Sequence, residues 1–268
     1  MGRLERELGV ALFDRDGRRL RLNRFGRMFL NRVDRVLTEL DAARRELRES
    51  AGLEHGIVAV ASETLRTVSD LLADFLRENP DVRFRLYQST AERMLDQLRA
   101  AEVDLCFASQ PLPGTLLESA VLADEEVLLA VPMTHRLAGR DRVRIAELEG
   151  EPFVTTRDGY WLRALAERLF STAGIEPSFA CESDEPAAIR GLISDGLGIG
   201  LLPAIARDTA DEPPVAWLGL RAAGCRRTLN LVWRRDASLS IAAQHFRAAA
   251  IDRLTAPRSS HHARSERV

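Results

Sequence analysis

The stretch from Asn23 to about Glu49 constrains the chain most. Phe29, Val33, Val36, Leu40, Ala43 and Leu47 recur at alternating spacings of four and three residues, the pattern of a seam between paired helices. Asn23 is a good N-cap, Gly52 can stop the helix, and Asp41 precedes Arg45 at the favourable i,i+4 spacing. One helix over this stretch runs about 40 Å at ~1.5 Å per residue, too long and narrow for its stripe to fold back on itself. The spacing therefore predicts a dimerisation helix. A helix lying on its own domain is the other reading, because Met28, Leu30 and Leu37 widen the stripe beyond a strict seam.

The preceding residues carry a concentrated positive charge. Arg15, Arg18, Arg19, Arg21, Arg24 and Arg27 share one short run with a single acid, Asp16, whereas the whole chain has a formal net charge of -2. A chain so balanced is not coated with nucleic acid, so any contact with phosphates belongs to this segment. Gly9 reads as the cap of a short helix containing Leu4 and Leu8. Leu12 to Arg15 and Arg18 to Leu22 read as a hairpin on an Asp16-Gly17 turn, with Leu20 and Leu22 on one face and Arg19 and Arg21 on the other. A solvated surface hairpin is the plain alternative.

Beyond Gly56 the chain alternates short apolar runs with amphipathic stretches, which predicts an α/β body with a largely parallel sheet. Strands are expected at Ile57–Ala61, Val82–Gln88, Asp104–Ser109, Val127–Pro132, Pro152–Thr156, Ser178–Ser183, Ile199–Pro203, Val215–Leu218 and Thr228–Trp233. Helices are expected at Leu65–Arg77, Ala91–Ala101, Trp161–Ala173, Pro186–Asp195 and Leu239–Leu254. With 268 residues, 46% of them hydrophobic, there is material for about two domains, and residues 256–268 read as a polar tail. Three scattered cysteines, Cys106, Cys181 and Cys225, and no apolar leader suit a reducing cytoplasm.

The run Gly196-Leu-Gly-Ile-Gly200 follows a helix and enters a strand, the reverse of the polarity that places phosphate at a helix N-terminus, so capping and close packing explain it better. The histidines have no local catalytic partner, and no metal-ligand spacing or nucleophile elbow occurs. Neither an enzyme, a metal nor a cofactor is expected. Hydroxyls and acids instead gather where strands end and helices begin: Ser62, Glu63 and Thr64; Ser89 and Thr90; Ser109; Thr155 and Thr156; Ser183 and Asp184. Such edges face the crevice of an open α/β sheet, where hydroxyls and free helix N–H groups hold small molecules. Each Ser or Thr could equally cap its own helix. Tyr160 and Trp161 offer either an aromatic wall or core packing. An inward Glu63 or Asp184 would favour a cationic or neutral ligand over a carboxylate.

Arg3-Leu-Glu-Arg-Glu-Leu-Gly-Val-Ala-Leu-Phe-Asp-Arg15, followed by Arg18-Arg-Leu-Arg-Leu-Asn23 and Gly26, resembles the LysR-type transcriptional regulators. Asn79-Pro-Asp-Val82, Val131-Pro-Met-Thr-His-Arg-Leu-Ala138, Ile145-Ala-Glu-Leu-Glu-Gly150 and Asp195-Gly-Leu-Gly-Ile-Gly-Leu-Leu-Pro203 extend the resemblance through the body. It implies that residues 1–22 are the end of a recognition helix and the wing of a winged helix-turn-helix, with Arg3, Arg6, Arg15, Arg18, Arg19 and Arg21 facing DNA. Residues 23–51 become the dimerising linker helix. The rest becomes a periplasmic-binding-protein-like effector domain, with one subdomain at 56–123 plus 233–255 and the other at 124–232, joined by two crossover strands. Partners implied are DNA, a small metabolite and further copies in a homodimer or homotetramer, with no membrane. The first two helices of the DNA module would precede Met1, so this chain is expected to bind DNA weakly. A DNA-independent binding module that pairs with full-length partners is the alternative. Peroxide-sensing relatives carry a reactive cysteine in a phrase like Asp158-Gly-Tyr-Trp161-Leu-Arg163; Trp161 stands there in this chain and rules that chemistry out.

Overall fold

A computed structural model of the chain describes residues 2–16, 19–30, 32, 33, 36, 40, 43, 47, 56–208 and 212–255. The turn residues Gly17 and Arg18, the Asp41–Arg45 pair, Leu37, Gly52, the tail 256–268 and the side chains of Arg15 and Arg19 lie outside this description.

Helix α1 (Gly2–Leu8) ends at Gly9, whose φ of 69° suits a residue without a Cβ. Strands β1 (Phe13–Asp16) and β2 (Arg19–Leu22) pair antiparallel with Asp16 opposite Arg19, so the connecting residues are 17–18, one later than the expected Asp16-Gly17 turn. Residues 24–30 and the described positions 32, 33, 36, 40, 43 and 47 are all helical and form α2. Asn23 caps this helix, its Oδ1 accepting from the Gly26 amide at 2.9 Å, while its Nδ2 donates to Ala11 O at 2.9 Å. Gly26 presses on the hairpin so closely that a Cβ there would lie 2.1 Å from Leu12 O. Along the expected seam, Phe29 and Val33 are half-buried and Val36, Leu40, Ala43 and Leu47 are exposed. Arg3 and Arg6 on α1 and Arg21 on β2 are exposed as well.

The body contains β3 (Ile57–Ser62), α3 (Arg66–Glu78), β4 (Arg83–Gln88), α4 (Ala91–Arg99), β5 (Leu105–Ala108), β6 (Leu117–Val131), β7 (Arg142–Val143), β8 (Pro152–Thr156), α5 (Trp161–Thr172), β9 (Ser178–Ser183), α6 (Ile189–Ser194), β10 (Gly200–Pro203), β11 (Ala216–Leu220), β12 (Arg226–Arg234) and α7 (Ile241–Thr255). The main sheet has the order β4-β3-β5-β12-β6-β11-β7, with β10 also on β6, and β8 and β9 form a separate parallel pair. This is an α/β fold of two lobes. In the first, β4, β3 and β5 run parallel, and Val68, Leu71, Leu72 and Phe75 of α3 pack with Phe107 and with Phe246 of α7. The spacing of those α3 residues makes one apolar helical face. The second lobe closes around Leu129, Phe153, Leu165, Phe170, Ile199 and Leu201.

Most elements match the expected ones within a few residues; three differ, and β7 has no expected counterpart. Strand β6 starts at Leu117, not Val127, because its first half crosses between the lobes half-exposed and has no apolar run to mark it. Strand β12 extends beyond the expected Thr228–Trp233 at both ends, from Arg226 to Arg234, and pairs with β5 through Asn230 to Val232. The helix expected at Pro186–Asp195 divides into a 3-10 turn, Pro186–Ala188, and α6. Cys106 is buried, and burial pushes its thiol far above the usual range, whereas Cys181 is only half-buried. No helix among the described residues is long and apolar enough to cross a membrane.

The glycine run is structural. Gly196 follows α6 at φ 86°, and a Cβ on Gly198 or Gly200 would lie 2.3 Å from Pro152 O or 2.6 Å from Val154 O. The glycines thus let the backbone of β10 approach β8 directly. Gly198→Ala is expected to force these backbones apart and destabilise the protein by about 1–3 kcal/mol, read as a lowered denaturation midpoint with an unchanged m-value.

Candidate functional site

The end of β3 and the start of α3 carry Ser62, Glu63 and Thr64 to the inner edge of the first lobe, where the Ser62 hydroxyl donates to Thr64 O at 2.8 Å and folds the turn. The end of β8 and the start of α5 bring Thr156, Tyr160 and Trp161 to the facing edge. Between them lies a cavity of about 330 Å³. Glu63, Thr64, Arg66, Asp70 and Leu71 line it from one lobe, and Thr156, Tyr160, Trp161, Arg190, Leu202 and Ile205 from the other. Arg227, on the crossover strand β12, lines it too.

Its buried polar centre is Glu63 and Arg227, respectively 1% and 2% exposed. The Arg227 guanidinium donates to Ser109 Oγ at 2.9 Å and to Glu125 Oε1 at 3.3 Å, and lies 5.4 Å from the centre of the Trp161 ring. Burial raises the Glu63 carboxyl from an ordinary 4.5 to about 7; the charge of Arg227 and hydrogen bonds from Ser109, the Trp161 amide and Gln110 offset this only in part. Burial likewise pulls the Arg227 guanidinium down, against the pull of Glu125 and Glu63. Glu63 Oε2, Thr155 Oγ1 and Thr156 Oγ1 are buried with no hydrogen-bond partner among the described residues. Arg190 is held by Ala206 O at 2.6 Å and Pro213 O at 2.8 Å.

Of the residues expected here, Glu63, Thr64, Thr156, Tyr160 and Trp161 meet at the cavity. The others stand behind or beside it. Ser89 donates to Gln97 Oε1 at 2.7 Å, Thr90 caps α4 by accepting from the Arg93 amide at 3.4 Å, and Ser183 accepts from the Glu185 amide at 3.0 Å. Ser109 supports Arg227, and Thr155 is buried within the second lobe. The Asp184 carboxylate lies 3.6 Å from Arg157; its carbonyl joins the lobes by accepting from Gln88 Nε2 at 2.6 Å and the Tyr160 hydroxyl at 3.1 Å. Sequence reasoning missed Arg227 and Arg190. Arg227 had a readable signal: alternation in β12 sets it on the same buried face as Leu229 and Leu231. Among the described residues no group of three or more His, Cys, Asp or Glu could hold a metal ion.

Two α/β lobes joined by a pair of crossing strands, with a polar-centred cavity between them, form the kind of crevice that suits a small molecule, here following a hairpin and the start of a helix. The family model for the LysR substrate binding domain matches residues 52–255. The uncharacterized HTH-type transcriptional regulator YybE of Bacillus subtilis (strain 168) is 32% identical over 250 residues, 92% of this chain and 85% of that protein. The chain belongs to the family of LysR-type transcriptional regulators. The fold is shared with the Synechocystis PCC6803 CcmR regulatory domain in complex with 2-PG, at a TM-score of 0.67 and 21% identity over 75% of this chain and 98% of that one. It is shared also with the effector binding domain of QuiR in complex with shikimate, at 0.64 and 22% over 75% and 98%.

Between pH 4.5 and about 7 the folded protein retains on Glu63 a proton that the unfolded chain has released. This residue therefore lowers stability as pH rises through that window, and the penalty stands in full above it. Glu63→Gln is expected to melt above the parent at about pH 8, with the difference fading towards about pH 4.5. Thermal unfolding of both proteins across the range checks this.

Proposed function

We propose that the protein is a cytoplasmic, effector-controlled transcription regulator that catalyses no reaction. In this reading Arg3, Arg6, Arg15, Arg18, Arg19 and Arg21 contact DNA phosphates, and Phe29, Val33, Val36, Leu40, Ala43 and Leu47 join two copies through α2. A small metabolite binds between the first lobe, residues 56–123 with 233–255, and the second, 124–232. The observation that carries the reading is the interlobe cavity, in which Glu63 Oε2 and Thr156 Oγ1 are buried without partners. Buried polar atoms left unpaired cost free energy that a ligand's complementary groups recover. The complexes of QuiR with shikimate and CcmR with 2-PG support a small-molecule role for a domain of this fold. A ligand that favours one relative placement of the lobes shifts their equilibrium and, through paired α2 helices, the spacing of the DNA-contacting hairpins.

A metabolite screen by thermal shift finds the ligand, and titration calorimetry compares the parent with Thr156→Val. Loss of one useful hydrogen bond weakens binding about fivefold or more, the equivalent of about 1 kcal/mol. Equal affinity in a normally folded variant would remove Thr156 from the site. For the helix, Val36 is 67% exposed and Leu40 45% in the single chain. Val36→Asp is expected to place an unpaired charge in the seam and shift sedimentation from dimer or larger towards monomer. Unchanged association would show that other surfaces join the copies.

A further inference from the structure

Helix α5 begins at the cavity with its N-terminal charge uncompensated by its own sequence. Its first turn contains no acid, and Tyr160 provides no side-chain cap. A free end of this kind attracts an anion, since amide N–H groups and the helix dipole both point at it. Glu63, reaching across from the first lobe, meets this end: it lines the same cavity as Trp161, the Trp161 amide and Ser109 both favour its charged form, and Gln110 Nε2 lies 3.4 Å from Oε1. The same Gln110 nitrogen lies 3.4 Å from Gly159 O, at the opposite edge of the cleft. Glu63 Oε2 remains buried and unpartnered at the cavity.

Resting on the reading of the cleft as the effector site, we propose that Glu63 itself fills the anion position at the α5 N-terminus, and that the effector is a non-anionic molecule. Such an effector brings a hydrogen-bond donor, a hydroxyl or an ammonium, to Glu63 Oε2 and an apolar body to the wall of Trp161, Leu202 and Ile205. The charge inventory points the same way. Glu125 and Glu63 already flank the one Arg227 guanidinium, so a ligand carboxylate here would be the third on a single buried cation. Asp70 and Glu212 add negative charge to the lining. Arg66 faces the cavity from α3, while Arg190 is engaged by two carbonyls.

The test uses the full chain at about pH 8, where Glu63 is ionised, and sodium acetate as probe against sodium chloride of equal ionic strength. Glu63→Ala vacates the carboxylate's place and leaves its donors; acetate is expected to bind this variant about tenfold or more tighter than the parent, the loss or gain of charge-assisted hydrogen bonds being of that order. Glu63→Gln, which fills the same space, is expected to gain nothing. Acetate binding the parent as tightly as Glu63→Ala, or no gain in a variant with native circular dichroism, overturns the proposal. Glu63→Gln also serves should the alanine variant not fold. A panel of amines, polyols and carboxylates is screened on the parent. Donor-bearing, carboxylate-free hits weakened about tenfold or more by Glu63→Gln support the proposal. Carboxylate hits that are weakened by Thr156→Val but bind Glu63→Gln as well as the parent overturn it and leave the cleft as the effector site. Hits indifferent to both substitutions overturn the cleft reading itself.

Discussion

The pairing of β6 with β12 is the constraint on which the two-lobed body depends. Fifteen residues of β6 run without a break from Leu117 to Val131. The ladder with β12 extends from Glu126 opposite Arg226 to Leu117 opposite Arg234, while Val127 to Val131 pair with β10 and β11 in the second lobe. One strand thus belongs to both cores, and the lobes can twist about it but cannot separate without breaking backbone hydrogen bonds. The ladder is irregular at Leu229/Asn230, where it crosses from one lobe to the other. A register shift raises local twist and concentrates bending at that point.

The same ladder distributes charge by alternation. Arg226 faces outward to Asp124 at 3.0 Å, and Arg227, the next residue, faces the cleft and Glu125. The exposed pair adds little to stability, since both side chains stay more than half or about half in water. The buried one controls its surroundings. A guanidinium taken out of water must be returned its hydrogen bonds, and Ser109 Oγ, Glu125 and the face of Trp161 do this from the first lobe, the crossover and the second lobe respectively. Each lobe therefore contributes to solvating one charge, and Glu63 adds a carboxyl whose burial outweighs the help of its neighbours, leaving its pKa raised to about 7 and Oε2 unpartnered. The cleft is held at its centre by electrostatics and at its rim by Asp184 O and Gln110.

How far the chain could be read in advance follows from burial. Strands β8 and β9 lie where Pro152–Thr156 and Ser178–Ser183 predict them, and β5, buried throughout as Leu-Cys-Phe-Ala, declares itself by its apolar run. The first half of β6 does not, because this crossing strand is half-exposed and has Leu122 as its one fully buried residue before Val127. Strand β7 is too short for any periodicity and exists through its pairing with β11. At the site, the rule that hydroxyls at strand ends face the crevice finds Thr64 and Thr156, but applies equally to Ser89, Thr90 and Ser183, which satisfy their own turns and helices. Nothing local separates these cases, since the difference lies in which edge faces the opposite lobe. Arg227 escapes the rule altogether by standing within a strand instead of at its end.

The joint between hairpin and helix bears on how a signal travels. Asn23 bonds both to the α2 backbone and to Ala11 O, and Gly26 leaves no space between helix and hairpin. The two therefore turn as one body; a side chain larger than hydrogen at Gly26 would open a gap and let the hairpin rock independently. Any rotation of the start of α2 is therefore carried to the hairpin undiminished. That stiffness comes from Gly26 and Asn23, which makes them as necessary to the proposed regulation as the residues that line the cleft.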